Sequence, residues 1–355
     1  MGKPDLINTA CDELLTYGLW DVRTKVKRRI KKHVFRKPVN AENFIFWPTG
    51  LLAVGLWNCR QEVDPSLQQK IELSLLSYFT RWEKKKNPIS NIDDLIAGEV
   101  FLAVYEEYCR NKAENNIINK ENEERFRKSA DKLAEYVLDH PRDEVGSLPY
   151  RADHQDGHIY ADGIGMICPF LYEYGSFFDR DEYIELAVKQ IVNFLAYGMD
   201  GSTGLPYHGY AMQTACKYGI IGWGRAVGWL LRGMTGCMIT EYGLKRLKDS
   251  FIRLMDTVIV YQRKDGCFSW QLQAVDGPAD TSATAMICVA LKQGIELGIL
   301  EDSKYEPLLL AGRNAIEKSI KNGKVYNCSG ECEGFGQYPQ RYGAYPWALG
   351  PTLML

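Results

Sequence analysis

No run of about 18 consecutive apolar residues occurs anywhere in the 355-residue chain, so no segment qualifies as a membrane-spanning helix. The opening residues MGKPDLINTACDELL lack the basic head and apolar core of a secretory leader. Charge of either sign is not in excess: 43 basic against 45 acidic residues leave a net charge of -2. Such a balance gives no overall attraction to nucleic acid. Histidine is scarce, with five in the chain, too few for a barrel isomerase built on paired histidines. The ten cysteines are scattered through helical segments such as MICPFL and TGCMIT. That usage suits buried thiols in a reducing compartment better than a disulfide framework. Cys328 and Cys332 form a lone C-x3-C with no second pair, which argues against a zinc site. These absences together predict a cytoplasmic protein.

Strand signals are also few and short, whereas helical periodicity runs from end to end. The helices fall into two alternating classes. One class is amphipathic, as in SLQQKIELSLLSYFTRWEKKK and RLKDSFIRLMDTVIVYQ, with charge recurring on one face. The other is nearly free of charge and rich in Gly, Ala and aromatics, as in FIFWPTGLLAVGLWNC, IYADGIGMICPFLYEYG and TSATAMICVALKQGIELG. A helix apolar all round must be buried all round. The alternation repeats about six times, with the later charge-free helices about 60 residues apart. An inner ring of six helices inside an outer ring of six closes this pattern as an all-α (α/α)6 barrel. An open helical solenoid is the weaker alternative. No Pro/Ser-rich linker interrupts the repeat, so residues 1–355 are expected to form one domain.

The links from outer to inner helices, such as GSLPYRADHQDGHIYAD and GSTGLPYHGYAMQTACKYG, pair a Gly turn with a short aromatic segment and read as turns or small hairpins. All must gather at one mouth of the barrel, because every inner helix begins there. The helix heads bring Trp47; Asp93 and Asp94; Tyr160 and Asp162; Trp223, Arg225 and Trp229; Asp280; and Tyr345 with Trp347. The loops add Tyr150, Tyr207, His208, Phe268 and Trp270. A funnel of aromatics over carboxylates and one arginine suits a sugar, since aromatic faces stack on pyranose C–H faces and polar groups fix the hydroxyls.

Each of these residues also has an ordinary structural reading. An Asp at a helix head often caps orphan N–H groups. That reading is preferred for Asp280 and for one of Asp93 and Asp94. Asp162 follows the apolar pair Ile159-Tyr160 and is the stronger candidate for chemistry. Trp223 and Trp229 could be core. Arg225, one turn from Trp229, needs either a buried Asp or a bound anion as partner. His154 and His158 stand four apart beside Asp153 and Asp156, but no third histidine is near, and a metal is not expected. The basic run RTKVKRRIKKHVFRK at 23–37 reads as a solvated surface, with an anionic polymer as the alternative partner.

The runs YADGIGM, GLPYHG followed by GWGRAVGW, DTSATAM and YPWALGP resemble the unsaturated glucuronyl and rhamnogalacturonyl hydrolases, glycoside hydrolase families 88 and 105. The resemblance extends from about residue 44 onward, and W-x-R-x-x-G-W together with Asp-x-x-x-Met is its specific part. It implies the same (α/α)6 barrel and an enzyme without metal or organic cofactor. The implied substrate is a small oligosaccharide carrying a terminal 4,5-unsaturated uronic acid. The implied reaction protonates C4 of the enol ether and adds water at C5; the hemiketal then opens and releases the aglycone. This lies outside the usual two-carboxylate glycosidase scheme. Carried across, Asp162 matches the proton donor and general base, and Asp93 the second acid. His208 matches a substrate contact, and Trp223, Arg225 and Trp229 match wall and anion contacts. Tyr160, Trp47, Tyr207 and Trp347 complete the expected substrate-binding set. A carboxyl on a dry barrel floor near a second carboxylate is expected to retain its proton near neutrality. Tyr160 stands where that family tends to carry Trp, and Tyr210-Ala211 follow Gly209 where it tends to carry Trp-Asp. These departures bear on the aglycone and leave the Asp pair intact. An ordinary inverting glycosidase and a non-catalytic sugar-binding protein are the competing readings. Neither nucleic acid nor membrane is an expected partner, and homo-oligomerisation is left open.

Overall fold

The computed structural model describes residues 2–19, 44–111, 120–152 and 157–355, with isolated positions between 20 and 43. Most of the basic run at 23–37, and Asp153, His154 and Asp156, lie outside the described residues.

The amphipathic segments form the outer helices α1 (Lys3–Thr16), α3 (Pro65–Lys84), α5 (Lys120–Leu138), α7 (Asp181–Tyr197), α9 (Glu241–Ile259) and α11 (Asp302–Lys318). The charge-free segments form the inner helices α2 (Trp47–Cys59), α4 (Ile96–Asn111), α6 (Ala161–Phe177), α8 (Gly224–Gly236), α10 (Thr281–Glu296) and α12 (Pro346–Leu353). Helix α9 shows the outer logic. Leu247, Phe251, Leu254, Met255 and Val258 are buried at helical spacing, while the intervening charges face water. Each such buried large side chain contributes about 1.5–3 kcal/mol. Helix α10 shows the inner logic, with every residue from Thr281 to Leu291 buried.

Each inner helix packs on the next, α2 on α4, α4 on α6, α6 on α8, α8 on α10 and α10 on α12, and α12 returns to α2. That closure makes the predicted (α/α)6 barrel and excludes the open solenoid. Close inner contacts depend on small residues. A Cβ on Gly165 would lie 2.5 Å from the Trp229 carbonyl oxygen, so this glycine lets α6 and α8 touch through their backbones. Helix starts follow local chemistry: Asp64 caps α3 by accepting from Ser66 and Leu67 N–H, and Pro346 opens α12. Among the described residues no helix is long and apolar enough to cross a membrane.

The links at the mouth are the small hairpins that their Gly turns predict. β1 (Ile159–Tyr160), β2 (Gly209–Ala211) and β3 (Cys216–Tyr218) form an antiparallel three-stranded sheet in the order β1-β2-β3, with Tyr160 opposite Gly209 and Gly209 opposite Tyr218. β4 (Ile320–Lys321) pairs with β5 (Lys324–Val325), and β6 (Cys328–Ser329) with β7 (Tyr342–Gly343).

Candidate active site

At the end of the barrel where the inner helices begin lies a cavity of about 680 Å³. It falls within the range of roughly 300–1,000 Å³ common for small-molecule sites. Its wall includes Trp47, Asp93, Tyr160, Asp162, His208, Trp223 and Arg225, seven of the ten residues expected from the sequence. The other three are elsewhere. Trp229 is fully buried with its ring edge-on to Trp47 at 6.1 Å, and Trp347 is buried in a parallel stack on Tyr345 at 4.6 Å. Both support the wall from behind. Tyr207 is half-buried under the Lys217 ammonium, outside the cavity. Gly163 and Gly165, which follow Asp162 in the same helix, are not on the wall either; Gly165 belongs to the α6–α8 contact.

Asp162 sits in the first turn of α6, directly after β1. Its placement follows from the short sheet. Pairing of β1 with β2, extended by the Ala161 N–H donating to the His208 carbonyl at 2.9 Å, sets the two side chains together. His208 Nε2 lies 3.0 Å from Asp162 Oδ2. The imidazole is fully buried, 4.4 Å from the Trp223 ring, while the Asp162 side chain keeps 14% of its surface open to the cavity. On the other side of the histidine, Nδ1 lies 2.8 Å from the Tyr338 hydroxyl.

Asp93 and Asp94 divide as the capping rule suggests. Asp94 serves the helix start: as the third residue of a capping box with Asn91, its Oδ2 accepts from Asn91 N–H at 3.4 Å and also from Ser90 N–H at 2.6 Å. Asp93 faces the cavity, where the Tyr150 hydroxyl donates to its Oδ2 at 2.9 Å and its buried Oδ1 has no hydrogen-bond partner among the described residues. Burial first, and the neighbouring Asp94 second, push the Asp93 carboxyl up to about 7. Asp93 is therefore a carboxyl on the cavity wall that keeps a proton close to neutrality.

Arg225 has the buried aspartate that an inner-helix arginine needs. It lies 3.7 Å from Asp280, and its two terminal nitrogens donate to the Ser329 carbonyl at 2.9 Å and the Gly330 carbonyl at 2.7 Å. Asp280 caps α10 through Ser282 N–H and also accepts from Ser329 N–H. This cluster fixes the start of the loop 330–341, which crosses the mouth. Glu331, Cys332, Glu333, Gly334 and Phe335 of that loop line the cavity. Phe335 stacks between Tyr160 at 4.2 Å and Tyr218 at 5.2 Å. Burial raises the Glu331 carboxyl, with nearby Arg225 opposing the shift. The sequence places this link at the mouth, but none of its residues was expected on the cavity wall. Arg151 and His158 were missed as wall residues as well; the His158 ring meets Phe335 edge-on at 4.8 Å. All ten cysteines are free, Cys328 and Cys332 included. Among the described residues no cluster of three or more His, Cys, Asp or Glu side chains has the geometry of a metal site.

An (α/α)6 barrel whose mouth joins an aromatic wall to two unlike carboxyl groups, one hydrogen-bonded to histidine and one raised to about 7, has a lining suited to a carbohydrate. The chain belongs to Glycosyl Hydrolase Family 88, whose family model matches residues 23–355. Protein Atu3128 of Agrobacterium fabrum is 33% identical over 165 residues, 42% of this chain and 70% of that protein. The unsaturated rhamnogalacturonyl hydrolase YesR of Bacillus subtilis is 25% identical over 231 residues, 61% of this chain and 65% of that enzyme. In fold, the chain is similar to a crystal structure described as a possible GH105 member from Klebsiella pneumoniae. The TM-score is 0.79 at 15% identity, covering 100% of this chain and 92% of the other. The protein is thus a glycoside hydrolase.

Proposed function

We propose that this glycoside hydrolase removes a terminal 4,5-unsaturated uronic acid from short oligosaccharides by hydrating the enol ether double bond. The observation that carries this reading is the Asp162–His208 pair, a carboxyl open to an aromatic cavity and held from behind at 3.0 Å. The name of the Bacillus subtilis relative agrees with the substrate class. The barrel's electrostatics also favour it: the first turns of α2, α6 and α8 contribute Trp47, Asp162 and Arg225 to this wall, and helix N-termini suit a carboxylate-bearing ligand.

In the proposed reaction the proton of the Asp162 carboxyl passes to C4 of the double bond. The oxygen of a water forms the new bond at C5, and that water's proton returns to Asp162, restoring the acid. The resulting hemiketal opens and releases the aglycone. Asp93, its carboxyl raised to about 7, can donate a hydrogen bond to the sugar in its protonated form and so lessens the negative charge beside the uronate. Free cysteines throughout the chain suit a cytoplasmic setting.

A second reading draws on the Asp93 carboxyl: with its proton near neutrality it could serve as the general acid of an ordinary inverting glycosidase, with Asp162 as base. One assay separates the two. Hydration of an unsaturated uronyl disaccharide destroys the conjugated ultraviolet absorbance as turnover proceeds, whereas direct cleavage initially preserves it. Product formation with the absorbance retained sinks the hydration proposal.

A further inference from the structure

Tyr338 does not line the cavity, yet its hydroxyl is one of the two groups that hold the ring of His208. We infer that Tyr338 is a positioning residue. It fixes the tautomer of His208 and thereby confines the acid proton of Asp162 to the oxygen that faces the substrate.

The inference begins with the partners of the phenol. Tyr338 accepts from the Ile220 backbone N–H at 3.4 Å and meets His208 Nδ1 at 2.8 Å. The Ile220 nitrogen can only donate, so it cannot receive the phenolic proton. Among the described residues the acceptor left for that proton is His208 Nδ1. The phenol remains protonated, because burial pushes its ionisation well above the ordinary tyrosine range. A ring nitrogen that accepts at Nδ1 in a neutral imidazole carries its own hydrogen at Nε2. His208 Nε2 then donates to Asp162 Oδ2 at 3.0 Å. At the other end, the unprotonated oxygen of the Asp162 carboxyl can accept this hydrogen bond while the acid proton sits on the other oxygen.

The consequence reaches the chemistry. With Oδ2 occupied as an acceptor, the proton of the neutral Asp162 carboxyl is confined to Oδ1. Resting on the hydration reading above, that proton leaves Oδ1 for C4. The electron pair left there takes the proton of the water whose oxygen bonds to C5. In the opposite tautomer the lone pair of Nε2 would draw the carboxyl proton to Oδ2, away from the substrate. The loop 330–341 thus does more than cover the mouth. Anchored by Arg225 on Ser329 and Gly330, it delivers the Tyr338 hydroxyl to the histidine from 130 residues away in sequence.

The test uses the full-length protein and two variants. Long-range 15N–1H spectra of the histidine side chains read the tautomer without any substrate, with His208→Gln identifying the signal. The wild type is expected to show His208 with hydrogen on Nε2 alone, and Tyr338→Phe a mixture or the Nδ1–H form. In turnover, Tyr338→Phe is expected to lower kcat about 10- to 100-fold with KM changed less than about twofold. In His208→Gln the amide nitrogen donates whatever Tyr338 does, so adding Tyr338→Phe to it is expected to cost nothing further. An Nδ1–H or doubly protonated His208 in the wild type overturns the inference. So does an equal loss from Tyr338→Phe in both backgrounds, which would mark a merely structural tyrosine. If the hydration reading fails because the ultraviolet absorbance persists, the spectra still decide the tautomer on their own.

Discussion

Arg225 and Asp280 face each other at 3.7 Å with both side chains almost wholly buried, and between them they hold the backbone of Ser329 and Gly330. The pair sits beside the cavity, so the arginine serves the architecture of the mouth at least as directly as it serves an anionic ligand. Removing one partner of a buried ion pair strands the other, at a cost of about 3–5 kcal/mol. Arg225→Met is therefore expected to lower the melting temperature and raise KM together, because the loop 330–341 loses its anchor. Arg225→Lys is expected to recover only part of the loss, since an ammonium lacks the planar fork that reaches two carbonyls. Thermal denaturation with parallel kinetics checks this, and an unchanged melting temperature in Arg225→Met contradicts it.

Asp162→Asn keeps the shape of the side chain and removes its proton transfer. Turnover of an unsaturated uronyl disaccharide is expected to fall by about 100-fold or more, with little change in the melting curve. His208 also reaches the cavity wall, but its ring is buried and hydrogen-bonded to Asp162, so it is not expected to take over the proton transfer. Retention of full activity in this variant would remove Asp162 from the chemistry.

Much of this was legible in the sequence, for physical reasons that differ by element. Helices such as Thr281–Glu296, with no charge in the eleven residues from Thr281 to Leu291, can only be inner ones, so the barrel followed from burial alone. Asp93 and Asp162 were legible as wall residues because a carboxylate at the head of such a helix either caps it or faces the mouth. Trp229 and Trp347 could not be told from wall residues, since an aromatic in a charge-free helix looks the same whether it faces a cavity or a neighbour. The proton-holding carboxyl was expected near the floor, and the structure gives that property to Asp93, whose burial is compounded by Asp94. Tyr338 and Phe335 were illegible for another reason. Their roles depend on how the loop 330–341 folds back across the mouth, which no local pattern encodes.

Asp93 links activity to stability through pH. Its carboxyl is raised from 3.8 to about 7 in the folded protein. Between about pH 4 and pH 7 the folded state therefore holds a proton that the unfolded chain has released, and stability falls as pH rises through that window. Asp93→Asn cannot ionise and escapes the penalty. Its melting temperature is expected to exceed that of the wild type at pH 8, with the advantage shrinking toward pH 4. Melting curves across this range settle the sign, and a variant less stable than wild type at pH 8 would oppose it.

Two glycines near Asp162 should respond in opposite ways to the same change. A Cβ on Gly165 would meet the Trp229 carbonyl oxygen at 2.5 Å and its Cα at 2.9 Å, both backbone atoms. Gly165→Ala is expected to push α6 from α8 and cost about 1–3 kcal/mol. A Cβ on Gly163 meets nothing nearer than Ile92 Cδ1 at 3.6 Å. Gly163→Ala is expected to be neutral or slightly stabilising, since alanine favours the helix. Denaturant titration of the pair tests the assignment, and equal stabilities would undo it.

At the opposite end of the barrel a smaller cavity of about 260 Å³ is lined by Glu99, Glu173, Arg232 and Gln293 among others. Glu99 pairs with Arg232 at 2.6 Å. Glu173 is pushed up from 4.5 to about 8, by burial first and then by Glu106 and Glu99. Its linkage has the same sign as that of Asp93 but extends higher, with stability lost as pH rises from about 4.5 to about 8. Glu173 lies eleven residues beyond Asp162 on one helix, a separation of about 16 Å at 1.5 Å per residue. Glu173→Gln is therefore expected to raise the melting temperature at pH 9 by about 2 °C or more and to leave it unchanged at pH 4. The kcat/KM for the uronyl disaccharide should be unaltered at both. A melting temperature that rises equally at both pH values would trace the gain to packing instead of to the charge.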